Sequence, residues 1–93
     1  MDLGLQEKIV IVTGGSKGIG GSISDVLVEE GATVIIAGRN SRDGNLKVEE
    51  LKSRGGRAEF FQIELTDEDR REQLIEYVVD KYNRIDGLVN NAG

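Results

Sequence analysis

Apolar residues along this chain of 93 residues follow two alternating rhythms. Residues 8–13 read Lys-Ile-Val-Ile-Val-Thr, a β-branched run of the kind that forms a strand buried on both faces. A glycine-rich turn follows over residues 14–21. Residues 19–30 then place Ile19, Ile23, Val26 and Leu27 at helical spacing, with Gly31 as a stop. Residues 33–37 (Thr-Val-Ile-Ile-Ala) form a second buried strand. Residues 45–54 read as a weaker helix closed by Gly55 and Gly56, and residues 57–63, carrying Phe60 and Phe61, as a third strand. Thr66 is the expected N-cap of a further helix, because the carboxylates of Asp67, Glu68 and Asp69 suit the positive end of a helix dipole. That helix runs to about Tyr82, with Leu74, Ile75, Val78, Val79 and Tyr82 on its apolar face. Residues 87–90 (Gly-Leu-Val-Asn) make a fourth, short strand.

Strand and helix thus alternate regularly, which argues for right-handed crossovers and a parallel sheet with helices on both faces. The expected fold class is α/β, a doubly wound sheet of four strands in the order 3-2-1-4. The second and third strands step outward on one side of the first, and the fourth crosses to the other. Composition narrows the functions open to such a sheet. A net charge of −5 disfavours nucleic acid or an anionic membrane as a partner held by bulk charge. The absence of Cys and His excludes a disulfide framework, a thiolate zinc site, imidazole ligands and any His-based triad. Glu29-Glu30 and Asp67-Glu68-Asp69 read as solvated acids and a helix start rather than metal sites. No apolar run is long enough for a membrane span, the first residues carry no signal-peptide pattern, and the expected location is cytoplasmic.

The informative segment is Thr13-Gly14-Gly15-Ser16-Lys17-Gly18-Ile19-Gly20, between a buried strand and an amphipathic helix. A dinucleotide pyrophosphate needs a sharp turn, backbone N–H groups aimed at it and a helix N-terminus close behind. Gly14 can make the turn, Gly18 can let the backbone approach the phosphates, and Gly20 can let helix and strand pack closely. At the end of the second strand, where an NAD site usually carries a carboxylate for the ribose 2′-OH, stands Gly38 followed by Arg39 and Asn40. No acid appears until Asp43. Arg39 and Lys17 are instead placed to pair with a 2′-phosphate, so the expected cofactor is NADP.

The Gly-x-x-x-Gly-x-Gly spacing, with Asp86-Gly87-Leu88-Val89 leading into Asn90-Asn91-Ala92-Gly93, closely resembles the short-chain dehydrogenase/reductase family. The resemblance covers essentially the whole chain but only the N-terminal, dinucleotide-binding portion of that family's Rossmann-type domain. It implies that the cofactor is held by Gly14, Ser16, Lys17, Gly18, Ile19, Gly20 and Arg39, by Glu64 and Leu65 after the third strand, and by Asn90, Ala92 and Gly93. It implies a chiefly structural role for Asn90, tying the fourth strand to its neighbour, and it points to NADP through the two basic residues. One position departs from the pattern: where the family usually has Asp, this chain has Glu64, which either still reaches the adenine or turns to solvent.

Tyr77 and Lys81 spell the family's Tyr-x-x-x-Lys catalytic pair, but they precede the Asn-Asn-Ala-Gly turn instead of following it, and they read as a surface helix pair. No catalytic residue is assigned within residues 1–93. The chain is therefore expected to be the cofactor-binding part of an NADP(H)-dependent oxidoreductase that interconverts alcohol and carbonyl, and to be inactive alone. A free-standing dinucleotide-binding module and a folding unit that binds nothing tightly are the alternatives. Residues 1–24 look most like family members acting on sugars. The fourth strand is expected to expose an apolar edge and to promote self-association.

Overall fold

The structure, a computed structural model, describes residues 7–14, 16–64 and 68–91. Its elements are β1 (Ile9–Thr13), α1 (Gly18–Glu29), β2 (Thr33–Gly38), α2 (Ser41–Ser53), β3 (Arg57–Gln62), α3 (Glu68–Tyr82) and β4 (Gly87–Asn90). The strands are parallel and lie in the order β3-β2-β1-β4, as the alternation predicts. Ile11 and Val12 stand beside Leu88 and Val89.

The two central strands are apolar without interruption because each face of the sheet has its own core. Val10, Val12, Val34 and Ile36 pack with Val28, Val48 and Leu51 of α1 and α2. The alternate residues Ile9, Ile11, Ile35 and Ala37 pack with Ile63 and with Leu74 and Val78 of α3. The sheet is thus doubly wound, with α1 and α2 on one face and α3 on the other. The start of β4 is pinned by Asp86, whose Oδ2 accepts from the Ile9 N–H at 2.7 Å while Arg84 holds both carboxylate oxygens. Hydrogen bonds from Arg84, and then from the Ile9 backbone, keep Asp86 below its usual carboxylate range. Among the described residues no helix is long and apolar enough to cross a membrane.

Three helices differ in detail from the pattern-based expectation. α1 was expected to bury Ile19, Ile23, Val26 and Leu27, yet Ile19 is 72% and Val26 54% exposed. The buried stripe is Gly20, Gly21, Ser24 and Val28. Gly20 brings the start of the helix against the turn after β1, and Ile19 and Val26 are turned to solvent, whereas Leu27 still packs against the core beside Val28. α2 begins at Ser41 rather than residue 45, since the Asn40 side chain accepts from the Asp43 N–H at 3.1 Å and caps it. α3 buries only Leu74 and Val78, with Ile75 and Val79 each 42% exposed. Its proposed cap, Thr66, lies outside the described residues.

A polar cluster completes the attachment of α3. Glu59 on β3 accepts from the hydroxyls of Tyr77 and Tyr82 and pairs with Lys81 at 2.9 Å. Burial pushes Glu59 up, but the hydrogen bonds from Tyr77, Tyr82 and Lys81 outweigh it and hold the carboxylate below its usual range. Burial and the Glu59 carboxylate together push Tyr82 from 10.0 up to about 12. Lys81 is likewise raised, by its hydrogen bonds with Glu59 and Tyr77. A group whose folded pKa is raised stabilises fully below its unfolded value and loses that contribution as pH rises through the folded one. The Tyr82 contribution is therefore intact below pH 10.0 and is lost towards about pH 12. Urea unfolding across this window should show stability falling more steeply in the wild type than in Tyr82→Phe. Parallel falls for the two proteins would refute the assignment.

Candidate functional site

Three chain segments meet where β1, β2 and β4 end. β1 delivers Thr13 and then Gly14, whose φ of +66° suits a residue without a side chain. The Gly14 N–H donates to Ala37 O at 2.9 Å, which ties the turn to the end of β2. Gly15 lies outside the described residues. Lys17 takes the N-cap position of α1 in extended conformation and supplies no side-chain cap. The first helical hydrogen bond is Gly21 N–H to Lys17 O at 3.0 Å. The N–H groups of Gly18, Ile19 and Gly20 thus form the uncapped start of a helix, where the dipole favours an anion. Gly18, at φ +58°, has open space where a side chain would stand, and Ile19 beside it is exposed.

Gly20 sets how close this helix start can lie. A Cβ there would fall 2.1 Å from Gly14 O, 2.9 Å from Gly14 C and 2.7 Å from Asn91 Nδ2. Two of those atoms are backbone, so no rotamer change relieves the clash. The missing side chain therefore brings α1 against both the turn after β1 and the residue after β4.

Thr13 stitches the same two strands together. Its hydroxyl lies 3.1 Å from Asn90 Oδ1 and 3.3 Å from Val89 O, and accepts from the Asn91 N–H at 3.1 Å. Having one proton, it donates to one of the first two at a time. The Asn90 side chain thus contacts the end of β1. Thr13 and Asn91 were not among the sequence candidates. The available signal was a polar residue ending an otherwise apolar β1, directly before the turn.

The two expected cations both lie on this rim, and each has a carboxylate partner. Arg39, after β2, pairs with Glu64 at 3.6 Å, the two side chains being 76% and 58% exposed. Glu64 is thus turned to solvent and towards Arg39. Lys17 reaches Asp43 of α2 at 3.0 Å. Ser16 and Lys17 share a shallow cavity with Asp43, Leu46, Lys47 and Glu50. Arg39 joins Asn40, Ser41 and Gln62 around a separate open depression, and the Gln62 side chain donates to Arg39 O at 3.3 Å. Leu65, Ala92 and Gly93 lie outside the described residues.

Tyr77 and Lys81 are not part of this rim. Lys81 Nζ is 3.3 Å from the Tyr77 hydroxyl, and both groups engage Glu59 on β3, at the opposite edge of the sheet from β4. Among the described residues no cluster of three or more Asp or Glu could hold a metal ion.

A family model described as short chain dehydrogenase matches residues 8–93. The chain is similar to the 3-oxoacyl-[acyl-carrier-protein] reductase FabG of Chlamydia pneumoniae, at 42% identity over 93 residues, which make up 100% of this chain and 38% of that protein. Among solved structures it resembles L-sorbose reductase from Gluconobacter frateurii complexed with NADPH and L-sorbose, with a TM-score of 0.93 and 30% identity over 100% of this chain and 36% of that one. It also resembles a metagenomic short-chain oxidoreductase in complex with NADP, with a TM-score of 0.93 and 34% identity over 96% of this chain and 40% of that one. The chain therefore spans well under half the length of the proteins it matches.

In this geometry an added methyl group at position 20 is a sensitive probe. Ala normally favours a helix interior over Gly by about 1 kcal/mol. Gly20→Ala should instead lower the unfolding free energy by about 1–3 kcal/mol, because it overpacks a backbone contact. A urea titration showing Gly20→Ala to be as stable as the wild type, or more so, would contradict the close approach.

Proposed function

The chain belongs to the short-chain dehydrogenase family, and from that premise we propose that it is the NADP(H)-binding part of an oxidoreductase interconverting an alcohol and a carbonyl. The observation that carries the NADP reading is Lys17 and Arg39 on one rim, with Gly38 where a ribose-binding carboxylate would stand. The complexes of the two structural neighbours with NADPH and NADP point the same way. The residues fit a dinucleotide: the α1 start is uncapped, the backbone at Gly18 is open, and the crevice lies at the switch point between β1 and β4.

In this reading Gly14, Ser16, Gly18, Ile19 and Gly20 receive the pyrophosphate, while Lys17 and Arg39 hold the 2′-phosphate. Asn90, held by Thr13, serves the nicotinamide end, a role the resemblance extends to Ala92 and Gly93; the adenine role it implies for Glu64 and Leu65 requires Glu64 to leave Arg39. When bound, the nicotinamide supplies or accepts the hydride. We assign no catalytic residue to this chain, since Tyr77 and Lys81 are engaged with Glu59, and we expect no turnover by these 93 residues alone. A sugar substrate is supported by the likeness to L-sorbose reductase, whereas the FabG relative is named for a different carbonyl substrate. Leu88, 61% exposed on the β4 edge, supports self-association of the isolated chain.

Calorimetric titration of Arg39→Ala tests the cofactor choice. NADP binding should weaken by about 1–3 kcal/mol, the scale of a charge-assisted hydrogen bond, with NAD binding nearly unchanged. Equal losses for both cofactors would remove Arg39 from the 2′-phosphate site.

A further inference from the structure

The acid missing from the end of β2 returns to the site through space. Asp43 Oδ2 lies 3.0 Å from Lys17 Nζ, the lysine side chain 75% exposed and the aspartate 23%. The aspartate is well placed to stay there, because its N–H is bound by the Asn40 cap of α2 at 3.1 Å. The flexible partner is Lys17, at the N-cap of α1. The nearest alternative cation in the cavity wall, Lys47, is already held by Asp25 at 2.7 Å and Glu50 at 3.2 Å. Among the described residues, then, Lys17 is the cation paired with Asp43.

We infer that Asp43 is a specificity-determining residue: it is the resident counter-ion of Lys17, and a 2′-phosphate must draw the lysine away from it. This rests on the reading of Lys17 as a 2′-phosphate cation. An ammonium has three donors and can touch both anions, but they then stand within the Debye length of about 8 Å at physiological ionic strength and repel each other. A ribose 2′-OH carries no charge and does not compete for the lysine. Asp43 therefore weakens one cofactor and leaves the other alone, narrowing a preference that Arg39 and Lys17 create.

The test uses the full chain with 2′,5′-ADP and 5′-ADP as probes, titrated by NMR at fixed ionic strength. Asp43→Asn, close in shape and compatible with a first helical turn, should tighten 2′,5′-ADP about two- to five-fold, the worth of an exposed ion pair. It should leave 5′-ADP unchanged. The gain should shrink at higher salt and should disappear in the Lys17→Ala background. Far-UV circular dichroism checks that α2 is retained.

Three results overturn the inference: no tightening, the same tightening in the Lys17→Ala background, or weaker 5′-ADP binding, which would make Asp43 a ribose acceptor. If Lys17→Ala binds 2′,5′-ADP as tightly as the wild type does, the NADP reading of Lys17 falls and takes the inference with it. If Lys17→Ala weakens that probe while Asp43→Asn fails to tighten it, the inference falls alone.

Discussion

The contact between the start of α1 and the Gly14 carbonyl governs the distances in the candidate site. It exists because Gly20 has no side chain, a Cβ there falling 2.1 Å from that oxygen. The same position faces the Asn91 side chain, so a single missing methyl lets α1 touch the ends of both β1 and β4. Ser24 and Val28 continue the stripe along the helix, with Ser24 Oγ donating to Gly20 O at 3.0 Å. Thr13 then closes the remaining side of the triangle by hydrogen bonds to the end of β4. Helix start, Gly14 and β4 end are thereby held together, and the N–H groups of the first helical turn are left without a side-chain cap. Such a unit is suited to an anion that must be bound without side-chain rearrangement.

Charge is arranged with comparable economy on a chain of net charge −5. The rim cations are not surplus positive charges; Lys17 and Arg39 lie opposite Asp43 and Glu64. Exposed pairs of this kind contribute about 0–1 kcal/mol each, so they orient the cations with little resistance to exchange. Elsewhere the ion pairs serve packing. Asp25 gathers Lys47 of α2 and Arg54 at its C-cap onto α1, and Glu59 gathers three groups of α3 onto β3. That second cluster also takes in the Tyr-x-x-x-Lys spacing, whose hydroxyl and ammonium both engage the Glu59 carboxylate.

Where burial is complete, the chain is easily read. β1 and β2 are apolar on both faces, so their runs are unbroken and their bounds lie within a residue of those expected, and the strand order follows from the alternation. The helices were less legible for specific reasons. α1 buries two glycines and a serine beside Val28, and of the expected apolar stripe Leu27 packs against the core while Ile19 and Val26 stay exposed, so the spacing marks its buried face only in part. α2 starts on a capping hydrogen bond that the Asn40 side chain accepts from the Asp43 N–H, followed by polar residues that carry no periodic signal. Of the site, the glycines and the two cations could be seen in the sequence, since turn chemistry and charge are local properties. Thr13 and the Lys17–Asp43 pair could not, because each depends on two segments meeting in space.

The central claim is that a dinucleotide lies in the crevice between the turn after β1 and the end of β4. Amide-resolved NMR of the nitrogen-labelled chain, titrated with NADPH, tests it most directly. Saturable shifts should fall on the amides of Ser16, Lys17, Gly18, Ile19 and Gly20, on Arg39 and on Asn90, with Glu59, Tyr77 and Lys81 unmoved. Shifts centred on Tyr77 and Lys81, or on Leu74, Ile75 and Leu88 with residues 16–20 unmoved, or no saturable shift at all, would contradict it.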